Sequence, residues 1–237
     1  MQLAFLGTGA AFSAERYNGA VAVDGHLLLD AGAPLVPHLH RVGIEPSAID
    51  VVFISHFHGD HVAGLIPYLC GWAFAPEPAR RRGLTIVGPI TSGEGIGARV
   101  DRLLRAAWGQ LWEATIRPAF ALRYQDAGGS GEVAGVRYET VPLEHGEIPG
   151  LGYRLQIGDH LLAYSGDTRA TPALDRLVDG AEVAITEATA PEVGGGHTSW
   201  SEAAALAARH PATRFFFNHV ESGTLPGAAT DLQVVDV

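Results

Sequence analysis

One pattern occurs twice in this chain and limits its fold more than any other feature. Residues 20–30 run Ala-Val-Ala-Val, an Asp24-Gly25 turn, then His-Leu-Leu-Leu-Asp30. Residues 152–167 run Gly-Tyr-Arg-Leu-Gln-Ile, a Gly158-Asp159 turn, then His-Leu-Leu-Ala-Tyr-Ser-Gly-Asp167. An Asp/Gly pair between apolar runs signals a tight β-hairpin. Each hairpin ends in an aspartate, so Asp30 and Asp167 are expected at equivalent places in two similar halves. Strands and helices follow each hairpin in like order. Apolar sheet faces must be buried, and two such sheets can face each other with helices outside. The expectation is an α/β (α+β) fold, a four-layer αββα sandwich. It forms a single domain over residues 1–237, with halves of about 1–112 and 113–237.

The remaining elements follow from period and punctuation. Residues 2–6, 50–55, 84–87, 114–124, 136–143 and 183–187 read as strands, and Arg214–Phe217 as the last clear one. Helices are expected from Pro34 to about Val42, from Val62 to Phe74, from Ser92 to Trp108, and from Ser199 to His210 behind a Ser-Trp-Ser-Glu capping box. Ala127–Gly131 reads as a flexible loop, with a hairpin tip as one placement. Trp72, Trp108 and Trp112 are read as core. His26 and His160 lie beside hairpin turns, His38 and His40 on a surface helix, and His210 near a helix end.

Composition removes several chemistries. The chain has no lysine, which excludes Schiff-base catalysis, and one cysteine, Cys70, which excludes an internal disulfide and a cysteine-based zinc site. A net charge of -10 argues against a general polyanion binder. The only basic run, Arg80-Arg81-Arg82, reads as a solvated loop. No apolar run is long enough to span a bilayer, and the first residues lack a basic leader, so a cytoplasmic protein without membrane contact is expected.

The chemistry concentrates in Ser55-His-Phe-His-Gly-Asp-His61. On an extended segment leaving a strand, residues two apart point the same way, so His56 and His58 can share one metal. Gly59 permits a sharp turn that aims Asp60 and His61 at a second metal. Imidazole and carboxylate donors suit zinc, and less specifically manganese or iron. Two metals need further ligands, and His145, Asp167 and His219 are the candidates, each near a strand end, with Asp167 as the bridge.

With these residues in place, the chain resembles the metallo-β-lactamase fold superfamily, and within it the ribonuclease Z-like and small phosphodiesterase-like branch. The matching pieces are Leu6-Gly-Thr-Gly-Ala10, Leu29-Asp30-Ala-Gly32, the segment 55–61, Pro142-Leu-Glu-His145, Tyr164-Ser-Gly-Asp-Thr168, Thr186-Glu-Ala-Thr189, His197-Thr198 and Asn218-His219. The resemblance implies that His56, His58 and His145 hold one divalent ion and that Asp60, His61 and His219 hold the other. Asp167 would bridge them, and Asp30 would orient the ligand loop. It further implies that His197 stands over the metals and stabilises or protonates the leaving oxygen, with Glu187 holding its imidazole. Asp60, Glu187 and His197 are then the candidate catalytic residues. A homodimer is implied in the same way.

Ribonuclease Z proper carries a long arm that grips transfer RNA, and nothing in this chain resembles it. The expected substrate is therefore a small molecule or short nucleotide with a phosphodiester, such as a cyclic or modified nucleotide, and a large RNA is not expected. The alternatives are a lactone or thioester hydrolase on the same fold, a transfer-RNA-processing endonuclease, and a metal-binding protein without turnover.

Overall fold

The computed structural model describes all 237 residues. The first sheet is built from β1 (Gln2–Gly7), β2 (Ala20–Val23), β3 (Leu27–Leu29), β4 (Val51–Phe53), β5 (Leu84–Pro89) and β6 (Leu122–Ala127). The second is built from β7 (Ser130–Val133), β8 (Val136–His145), β9 (Ile148–Ile157), β10 (His160–Tyr164), β11 (Val183–Glu187) and β12 (Arg214–Asn218). A last strand, β13 (Gln233–Asp236), returns to the first sheet, giving the orders β13-β1-β2-β3-β4-β5-β6 and β12-β11-β10-β9-β8-β7.

Alternation along the strands sorts the core into layers. Leu3, Phe5, Val21, Val23, Val51 and Phe53 point one way and meet Tyr153, Leu155, Leu162, Val183 and Ile185 of the second sheet. Their neighbours Ala4, Leu6, Ala22, Leu28, Val52 and Ile54 point the other way, onto α1 (Leu35–Arg41), α3 (Leu65–Trp72) and α5 (Ile96–Trp108). On the far side of the second sheet, α6 (Pro172–Val178) and α7 (Trp200–Arg209) cover Ala163, Ala184 and Phe217. The result is the αββα sandwich expected from the repeated hairpins.

The two hairpins are homologous in pairing as well as in sequence. β2 pairs antiparallel with β3, which runs parallel to β4; β9 pairs antiparallel with β10, which runs parallel to β11. In each case the strand that ends in the aspartate delivers it beside the carboxyl end of a parallel neighbour. Openings of this kind are where α/β sheets present their ligands.

Several local expectations are corrected. Residues 114–121 are not strand: Trp112–Ile116 is a π-helical turn and Arg117–Ala119 a 3-10 turn, with strand only from Leu122. Trp112 and Ile116 both enter the core one turn apart, so tertiary burial selects the helical period. The helix expected from Ser92 begins at Ile96, whose N–H donates to Asp126 Oδ1 at 2.8 Å, while Ser92 sits in a turn at φ 54°. The helix expected over 62–74 begins only at Leu65, as α3, and Val62 instead closes a separate turn, α2 (Gly59–Val62). Gly128-Gly129 joins β6 to β7 across the two sheets and is no hairpin tip. Arg80–Arg82 lie on α4 (Glu77–Arg82), with Arg81 paired to Glu77 and Arg82 to Asp50. His38 is buried rather than superficial; its Nδ1–H donates to the Leu6 carbonyl at 2.6 Å and ties α1 to β1. Trp72 and Trp112 are fully buried, and Trp108 packs against the same core. No helix is long and apolar enough to cross a membrane.

Candidate metal centre

The histidine-rich segment leaves β4 and passes under the carboxyl ends of β8, β10, β11 and β12. His145 closes β8, Asp167 follows β10, Glu187 closes β11 and His219 follows β12. His219 itself adopts φ 56°, and Asp30, after β3, adopts φ 54°. Non-glycine residues persist there only when their surroundings hold them. For Asp30 that hold is visible: its Oδ1 accepts the Ser55 N–H at 2.7 Å, and its Oδ2 accepts the Ser55 hydroxyl at 2.7 Å, His61 Nδ1–H at 2.7 Å and the Tyr164 hydroxyl at 2.5 Å. Gly166, at φ 58°, lets the Asp167 loop lie on Ser55; a Cβ there would stand 2.3 Å from the Ser55 Cβ.

Two groups of donors result. His56, His58, His145 and Asp167 form one, and Asp60, His61, Asp167 and His219 the other, each with its ligand atoms within 4.8 Å of one another. All seven residues expected to ligate are therefore brought together, with Asp167 common to both groups. In the first, His58 Nδ1 lies 2.9 Å from His56 Nε2 and 3.1 Å from His145 Nε2. In the second, His61 Nε2 lies 3.2 Å from both Asp60 Oδ2 and Asp167 Oδ1, and His219 Nε2 lies 3.2 Å from Asp167 Oδ2.

Donor chemistry tests whether metals fit. His145 Nδ1–H donates to the Gly196 carbonyl at 2.9 Å and His61 Nδ1–H to Asp30, which leaves both Nε2 atoms facing inward. His61 Nε2 and Asp167 Oδ1 are buried and have no hydrogen-bond partner. Unpaired buried polar atoms are costly, and a shared cation would satisfy both. Burial and the neighbouring His61 hold the His56 imidazole well below its usual range, and burial with His145 lowers His58, so both stay neutral as ligands must be. Burial opposes ionisation of Asp167, but His219 and His61 outweigh it and keep the carboxyl well below its usual range; against burial, Asp167 in turn raises both imidazoles, so this second group favours positive charge between its carboxylates, which a divalent ion would supply. The residues fit divalent ions.

Beside the second group lies a further array. His197 stacks on His219 with ring centroids 5.2 Å apart and crosses His145 edge-on at 4.8 Å. Its Nδ1 is 3.0 Å from Glu187 Oε2. Glu187 also accepts the Thr189 hydroxyl at 2.6 Å and the Thr168 N–H. Burial and then the Asp167 charge push its carboxyl well above the usual range.

Sequence reasoning missed the supports. Thr189 Oγ1 joins Glu187 to His219 Nδ1 at 3.1 Å, and Tyr164 joins Asp30 from the second sheet. Both stand in quoted motifs, but partners 30 and 134 residues away leave no local signal. The cleft over the metal centre, about 780 Å³, also takes walls from Phe12, Asn18, Val193 and Glu221, which the sequence did not single out.

Known proteins are similar to this chain in sequence and in fold. Ribonuclease Z of Limosilactobacillus fermentum is 27% identical over 100% of this chain and 94% of its own length. The short form of human tRNase Z superposes with a TM-score of 0.75 at 23% identity, covering 100% of this chain and 99% of that one. A diphosphatase of the PhnP family superposes with a TM-score of 0.72 at 19% identity, over 100% and 97%. Fold and site together define a metal-dependent hydrolase of the metallo-β-lactamase fold, in its ribonuclease Z-like branch. More narrowly, the chain belongs to the family of the anti-Pycsar protein Apyc1, whose model matches residues 1–226.

Proposed function

We propose that this hydrolase is a phosphodiesterase acting on a small phosphodiester, such as a cyclic or modified nucleotide, with two divalent ions, zinc being the best fit to the donors. The observation that carries the reading is the Glu187–His197 pair beside the metal centre. His56, His58 and His145 would hold one ion and Asp60, His61 and His219 the other, with Asp167 between them. When bound, such ions polarise phosphoryl oxygens and make a water nucleophilic at neutral pH.

The chain's own residues supply the rest. Asp30 fixes His61 with its Nε2 inward, and Gly196 does the same for His145. Asp60 lines the cleft, and the His219 and His61 rings beside it overcome the effect of burial and hold its carboxyl below the usual range. His197, with its side chain 30% exposed, also lines the cleft and can deliver the Nε2 proton to a departing oxygen, while Glu187 replenishes charge behind it. An alkoxide leaving phosphorus needs that proton more than an activated ester does. The size of the cleft falls in the range of small-ligand sites, and no arginine is among its lining residues.

The expectation against a large RNA draws no support from relatives named ribonuclease Z, so the test includes one. Metal-loaded protein is offered bis(p-nitrophenyl) phosphate, cyclic nucleotides, a lactone panel and precursor transfer RNA. The proposal expects hydrolysis of the first two above the others. Preferred cleavage of lactones, or robust processing of the precursor, would overturn it.

A further inference from the structure

Two of the three imidazoles in the first metal group have an outer hydrogen-bond partner. His56 Nδ1–H donates to Ser55 Oγ at 3.1 Å, whose own hydrogen goes to Asp30, and His145 is held by the Gly196 carbonyl. His58 has no such support. Its Nδ1 faces the other ligands, 2.9 Å from His56 Nε2, and its Nε2 makes no hydrogen bond within the protein. Ligating histidines are ordinarily fixed by a partner at the second ring nitrogen. For His58 the aim of the ring falls instead to the segment that carries it.

That segment is gripped from behind. His58 is extended, at φ -84° and ψ 156°, so Phe57 turns away from the ligands on either side of it. Its ring packs on the core that holds Ile96, Val100 and Leu104 of α5. Arg99, on the same helix, lies over that ring with its guanidinium carbon 4.7 Å from the centroid. Arg99 differs from its neighbours. Arg102 pairs with Glu94 and Arg105 with Glu113, whereas Arg99 makes no ion pair and its Nε is buried without a hydrogen-bond partner. An unpaired buried polar edge is costly, and the negative face of an aromatic ring offsets part of that cost for a cation. The helix itself is fixed one turn earlier, where Asp126 accepts the Ile96 N–H.

We propose that Arg99 is a positioning residue for the metal centre: its guanidinium, acting through the Phe57 ring, fixes the segment His56–His58 and so the aim of His58 Nδ1. The proposal rests on the reading of His56, His58 and His145 as ligands of one ion. The second group is positioned by other contacts, Asp30 on His61 and Thr189 on His219. Loss of the Arg99 contact therefore weakens the first ion and spares the second.

The test reads zinc affinity of the full chain by competition with chromogenic chelators of graded strength, which separates the two equivalents. His58→Ala marks the equivalent that belongs to the first group. Arg99→Met keeps an apolar stem over the ring and removes the charge. It should weaken the first equivalent about 3- to 30-fold and leave the second unchanged. Arg99→Lys keeps a cation there and should retain most of the affinity. Phe57→Leu should show the same loss as Arg99→Met, and combining the two should cost nothing further. Unchanged affinity in Arg99→Met or in Phe57→Leu, equal weakening of both equivalents, or additive losses in the double variant would overturn the proposal while leaving the metal reading intact. Wild type that takes up no zinc would sink the metal reading and the proposal with it.

Discussion

Asp30 Oδ2 and His61 Nδ1 are 2.7 Å apart, both buried, and that contact sets which nitrogen of His61 faces the metal centre. Asp30→Asn preserves size but offers an amide in place of a four-fold acceptor. Orienting groups of this kind are worth about 10- to 100-fold in metal affinity or activity. We expect Asp30→Asn to weaken zinc retention by about that factor, measured by competition with a chromogenic chelator. A folded variant with unchanged affinity would remove Asp30 from the account.

His197→Ala should discriminate between leaving groups. A positioned general acid contributes about 100- to 10,000-fold. Loss in that range is expected for cyclic nucleotides, whose alkoxide needs a proton, and much less for bis(p-nitrophenyl) phosphate, whose phenolate does not. Equal losses on both substrates would mean that His197 acts on the metals rather than on the leaving oxygen.

The pH profile should report the Glu187–His197 pair. Glu187 Oε2 stands 3.0 Å from His197 Nδ1, and a carboxylate at that distance favours the protonated ring. Activity that needs the proton is present below the pair's pKa and lost as pH rises through it. Glu187→Gln removes the carboxylate and should shift the alkaline limb of kcat/KM to lower pH. An unmoved limb would assign it to another group.

A stability prediction concerns α7, whose N-cap Ser199 lies two residues after His197. Ser199 Oγ accepts the Glu202 N–H, and Glu202 Oε2 accepts the Ser199 N–H at 2.9 Å. Ser199→Ala should cost about 1 kcal/mol, a fall in Tm of about 2–4 °C for a chain of this size. The Ser199 hydroxyl and N–H lower the Glu202 carboxyl from its usual 4.5. A lowered pKa stabilises the fold above the unfolded value and stops doing so as pH falls through the folded one. The Tm gap between wild type and Glu202→Gln should accordingly be present at neutral pH and close in acid below 4.5; a gap that widens in acid would contradict it.

The layers and the metal cluster were legible because both rest on local signals. Alternation marks a two-sided strand, and the residues of segment 55–61 sit close enough in sequence to be read as one unit. Asp30, Asp167 and Glu187 were legible through the repeated hairpin and the family resemblance. Elsewhere tertiary contacts decided. His38 is buried because α1 happens to cover the free carbonyl of Leu6, and residues 112–116 stay helical because Trp112 and Ile116 share one core. β13 was missed because Gln-Val-Val-Asp is short; its partner β1 lies over 200 residues away, as in the pairing of Gln2 with Asp236. Phe12 drew no notice, since a single phenylalanine in a small-residue loop has no pattern to stand out from.

The most direct measurement titrates zinc into metal-free protein while following bis(p-nitrophenyl) phosphate hydrolysis. Two ions sharing Asp167 predict that activity rises until two equivalents per chain are bound, and that Asp167→Asn abolishes the rise. Saturation at one equivalent, or no hydrolysis by folded protein with zinc, manganese or iron bound, would contradict the account.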